Sequence, residues 1–117
     1  MLFSLQSFIA RYYAWQVRKQ YRAHHYASCY QCLQHLEYWD CRIAHQPLYK
    51  GFKAMCHYQL EQWSNIAVEI EQALFLLRRP AQQDKACFVL WQELKSHLAD
   101  LRYIERQQQT LKKVEGL

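Results

Sequence analysis

Trp63, Ile66, Ala67, Ile70, Ala73, Leu74 and Leu77 form an unbroken apolar stripe whose steps alternate between three and four. Such spacing places every member on one side of a 3.6-residue helix. Small residues at Ala67 and Ala73 leave room for a second helix to approach, while Trp63 and Ile70 fill the remaining space. The segment just before it, Gln59-Leu60-Glu61-Gln62-Trp63, reads as the joint of a helical hairpin.

The same threes and fours recur along the chain, and only two Gly and two Pro interrupt its 117 residues. So few turn residues cannot serve many β-hairpins, and the expected fold is all-α. The length suits one domain, and a hydrophobic share of 51% suffices for a real core. Five helices are predicted. The first spans about 2–23, apolar on two faces: Leu5, Phe8, Ile9 and Tyr12 on one, Ala10, Ala14, Val17 and Tyr21 on the other. Such a helix is covered from two directions or itself covers a partner. The second spans about 26–44, with Tyr26, Cys29, Leu33, Leu36 and Ile43 inward. The third, about 47–60, starts at Pro47 and turns Phe52, Met55 and Leu60 inward. The fourth is the opening stripe, closed by Arg78, Arg79 and Pro80. Asp84 caps a long fifth helix with Cys87, Leu90, Trp91, Leu94, Leu98, Leu101 and Ile104 inward. The pattern thins after Ile104, which leaves a tail that is frayed or extended into solvent.

Residues 54–77 resemble a tetratricopeptide repeat. Ala54 and Cys56 stand in small-residue slots, followed by Tyr58, Leu60 and Trp63, the aromatic that opens the second helix. Ile70 takes the large apolar slot, and Ala73-Leu74 the small-large pair. Two positions depart from the family: its turn glycine is Glu61 here, and its second-helix alanine is Ile66. A second copy runs through residues 10–44, with Tyr26 opening its second helix and Cys29 in the small slot. The resemblance implies stacked helical hairpins with a groove for a peptide or helix. It also implies the work of small adaptors, or of chaperones for secreted subunits.

The formal net charge is +5, unevenly placed. Residues 1–36 contain Arg11, Arg18, Lys19 and Arg22 and no acidic residue; Glu37 is the first. A basic, acid-free N-terminal third implies an acidic partner: protein, nucleic acid or membrane surface. Tyr12, Tyr13, Trp15 and Tyr21 are interleaved with those cations, so the first helix could also meet phosphates while its rings stack on bases. Five Cys without a paired framework fit a reducing compartment, here the cytoplasm. The N-terminus lacks the basic start of a secretory signal, and its aromatic content is heavy for an organelle transit peptide. No apolar run is long enough to span a membrane.

Metal or thiol chemistry has one candidate cluster. His25, Cys29 and Cys32 fall at i, i+4 and i+7 on one helix face, with Cys41, His45, Cys56 and His57 further on. Thiolate and imidazole suit zinc, but the spacing is not that of a finger, and the Cys stripe continues into the core through Leu36. A Cys29–His25 nucleophile pair would lack an assignable oxyanion hole or orienting acid. The expectation is therefore no catalysis, no cofactor and no resident metal. The protein should hold another chain through apolar contacts from Tyr13, Val17, Tyr21 and Phe52. Arg18, Lys19, Arg22, Lys50 and Lys53 would attract acidic groups at the rim. The competing expectation is a small nucleic-acid-binding protein that uses the first helix.

Overall fold

The computed structural model describes the backbone of residues 2–62 and 64–116, and side chains from Leu5 onward in that range. Trp63, at the head of the opening stripe, lies outside the described residues. The chain is all-α, with six helices among the described residues: α1 (Leu2–Arg22), α2 (Tyr26–Trp39), α3 (Cys41–Ala44), α4 (Pro47–Gln59), α5 (Ile66–Leu77) and α6 (Lys85–Glu115). A 3-10 turn, Pro80–Gln82, joins α5 to α6.

The extra helix comes from a break the apolar pattern does not show. Residues 26–44 were expected to run as one helix, yet Asp40 adopts an extended conformation. Its carboxylate accepts from the amides of Arg42 at 3.1 Å and Ile43 at 3.4 Å. A side chain that satisfies free amides starts a helix, so Asp40 ends α2 and begins α3. Asp84 caps α6 in the same way, accepting from the Ala86 amide at 3.1 Å.

α1 with α2 makes one hairpin and α4 with α5 a second; α2 meets α4 between them, and α6 lies across α5 and α4. Both hairpins turn through one backbone motif. At the end of α1, His24 N–H donates to Tyr21 O and His25 N–H to Gln20 O, each at 3.0 Å. At the end of α4, Glu61 N–H donates to Tyr58 O at 3.2 Å and Gln62 N–H to His57 O at 2.9 Å. This double bond pattern needs a left-handed residue just past the helix, normally glycine. Here His24 and Glu61 supply it, both at φ 60. They stand 37 positions apart. A side chain in that region costs about 1–2 kcal/mol, and glycine's extra unfolded-state entropy returns part of it. His24→Gly and Glu61→Gly should each therefore stabilise the fold by about 0.5–1 kcal/mol. Lower urea midpoints in both variants would refute the assignment.

The core draws buried residues from α1, α2, α4, α5 and α6. Leu36, Met55, Ile70, Leu77, Leu90 and Leu94 are its largest fully enclosed side chains. Ile66, Ile70, Ala73 and Leu77 of the opening stripe are buried, and Ala67 and Leu74 pack beside them. Gly51 has a steric role: a Cβ there would come within 2.5 Å of Leu90 Cδ2 and 3.0 Å of Leu77 Cδ1. Its bare backbone is what lets α4 sit close to α5 and α6.

α6 outlasts the core. Leu98 is its last buried residue and Leu101 is half-buried, whereas Ile104, expected inward, is exposed. From Arg102 to Gly116 every residue is exposed, yet the helix continues to Glu115. An ion pair from Arg102 to Glu71 of α5 marks where it leaves the body. The tail is the solvent-extended alternative, and it makes the molecule 69 Å long.

Candidate functional site

One groove gathers residues from three helices. α1 contributes Arg18, Tyr21 and Arg22; α4 contributes Leu48 and Phe52; the first turns of α6 contribute Lys85, Ala86, Val89 and Leu90. It encloses about 420 Å³. Leu48, Phe52, Val89 and Leu90 make an apolar floor and wall, and three cations border it.

The walls are fixed by packing between the helices. Phe52 lies against Tyr21 with ring centroids 4.5 Å apart and against Tyr49 at 5.9 Å. Arg18 Nη1 donates to the Tyr49 hydroxyl at 3.3 Å, tying α1 to α4. The Tyr21 hydroxyl donates to Glu93 of α6 at 2.5 Å. Burial, then that hydrogen bond and the carboxylate's charge, hold the Tyr21 hydroxyl well above its ordinary pKa. Tyr21 therefore stays a neutral donor that locks α1 to α6. Burial raises Tyr49 as well, with Arg18 pulling the other way.

The residues predicted as partner contacts divide among five places. Arg18, Tyr21, Arg22 and Phe52 meet in the groove. Val17 is 0% exposed, and its carbonyl accepts from the Cys29 thiol. It is a core residue and cannot touch a partner, because position 17 shares the inward face with Ala10 and Ala14. Phe52 is only 6% exposed, so it too is chiefly core, showing the groove one edge. Tyr13 stacks on His35 of α2 at 4.9 Å and is half-buried. Lys19 is exposed on α1, 4.9 Å above the Trp15 ring.

Lys50 and Lys53 leave α4 on a different face from Phe52, since they stand two residues and one residue from it, offsets that do not bring side chains together. They border a separate hollow of about 460 Å³ with His57, Asn65 and Glu69. His57 Nδ1 lies 2.8 Å from both Glu69 carboxylate oxygens, and its ring packs near Tyr30. Lys53 approaches Glu37 at 4.0 Å. Sequence reasoning overlooked this His57–Glu69 pair, whose partners are 12 residues apart on different helices. Leu48, Lys85 and Val89 were overlooked too, because a groove between helices has no signature within any one helix.

The Cys/His cluster does not converge. His25 precedes α2 and is exposed, with Nδ1 3.2 Å from Gln20 Oε1. Cys29 is fully buried and Cys32 half-buried. Contact with the Cys56 thiol and then burial raise the Cys29 pKa strongly, and burial raises Cys32. Burial, then a hydrogen bond to Asp84, pushes Cys87 up to about 11. Such thiols stay protonated near neutrality, a poor state for a ligand or nucleophile. Among the described residues no group of three or more His, Cys, Asp or Glu is placed to hold a metal ion. All five cysteines are free thiols. No family model matches the chain, and neither do the curated proteins or the solved structures, so its chemistry is read from its own residues.

Proposed function

We propose that this protein is a non-catalytic adaptor or small chaperone that holds a segment of another protein chain in the α1–α4–α6 groove. The supporting observation is the convergence of Arg18, Arg22 and Lys85 around an apolar floor. That arrangement suits a segment presenting an apolar side chain flanked by acidic groups. The floor removes apolar area from water, and the cations steer the approach. The two hairpins with matching turns support a repeat-like scaffold of the tetratricopeptide kind. The five free thiols support a reducing compartment such as the cytoplasm.

The test uses an exposed position. A photo-crosslinking amino acid in place of Val89, which is 43% exposed, should capture one defined polypeptide in the native cell. Arg22→Glu with Lys85→Glu should weaken binding of that purified partner about tenfold near 0.1 M salt, with the difference shrinking as salt rises. A partner indifferent to both changes would remove the groove from the function. Nucleic acid crosslinked instead of protein would favour the rival nucleic-acid-binding reading.

A further inference from the structure

We propose that the outer face of α1 docks flat on an anionic membrane surface. α1 is apolar on two opposite sides, and the fold covers only one. Ala10, Ala14 and Val17 are buried against the core. Leu5, Phe8, Tyr12 and Trp15, spaced by three and four, lie on the other side at 59%, 72%, 50% and 48% exposure. A continuous exposed stripe of this kind on a water-soluble surface marks an interaction face.

Charge selects the occupant. Arg11 flanks the stripe and Lys19 extends it, with its ammonium over Trp15. The chain has no acidic residue before Glu37, which sits on α2. A second copy on this face would bring Arg11 and Lys19 against their equivalents, with no α1 carboxylate to neutralise them. Anionic headgroups supply the missing negative charge. Tyr12 and Trp15 carry polar tips on apolar rings, the chemistry that settles at the headgroup boundary. Leu5 and Phe8 would enter the acyl edge. Nucleic acid would leave those two, the most exposed of the four, in water. No helix among the described residues is long and apolar enough to cross a membrane, so the contact lies in the plane of the surface. The face is separate from the groove, and the two can fail independently.

The test is sedimentation of the full chain with vesicles of phosphatidylcholine alone or mixed with phosphatidylglycerol. Wild type should pellet with the mixed vesicles and remain in solution with phosphatidylcholine alone. Phe8→Ser with Trp15→Ser should abolish pelleting. Arg11→Gln with Lys19→Gln should reduce partitioning about 25-fold, each basic residue being worth about fivefold near such a surface. Circular dichroism should show unchanged helicity, because all four positions are exposed. Three results would each overturn the proposal: wild type that stays in solution with mixed vesicles, pelleting indifferent to the substitutions, or a wild-type dimer that becomes monomeric in Phe8→Ser/Trp15→Ser. A fourth is a single-stranded oligonucleotide that competes the protein off the vesicles through this face.

Discussion

Phe52→Ala should lower the unfolding free energy by about 3–5 kcal/mol, the range for truncating an enclosed aromatic. Phe52 holds α1 through Tyr21 and braces Tyr49, so its removal leaves a cavity where three helices meet. Urea denaturation followed by circular dichroism should show a lower midpoint with little change in slope. The result separates two roles for the residue. A partner contact on an open surface would lose binding with stability within about 0.5 kcal/mol of wild type, which would contradict its 6% exposure. The loss predicted here follows from its place in the core, with binding impaired only because the groove floor collapses.

Gly51→Val should cost about 3 kcal/mol, the upper end for overpacking. Its Cβ alone would overlap Leu90 Cδ2 at 2.5 Å, and the two γ-carbons must also find space beside Leu77. Leu77 and Leu90 are both almost fully enclosed, so neither can swing into solvent to make room. Gly51→Ala should cost less, because a gain of up to about 1 kcal/mol in helix propensity offsets part of the overlap. Thermal unfolding should therefore order the chains as wild type, Gly51→Ala, Gly51→Val, from most to least stable. A Gly51→Val protein as stable as wild type would show that α4 does not approach α6 this closely.

Local pattern carried much of this protein. The threes and fours that place Ile66, Ile70, Ala73 and Leu77 on one face are set by helix geometry alone, and the structure buries all four. Pro47 and Asp84 opened helices because their effects are local: a missing amide at a first turn, and a carboxylate that satisfies free amides. The two apolar faces of α1 were equally legible. Which one the fold covers was not, because Ala10-Ala14-Val17 and Leu5-Phe8-Tyr12 have the same period. The small face won because α2 must come close, and the bulky face was left outside. Val17 could not be told from a contact residue by its type, since inward and outward valines look alike until a neighbouring helix arrives. The groove is a tertiary product. Arg22, Phe52 and Lys85 are separated by 30 or more residues, and only the crossing of α1, α4 and α6 brings them to one place. Periodicity decided which residues share a face on each helix; the order in which those helices stack decided which face is covered and where apolar floor and positive rim coincide.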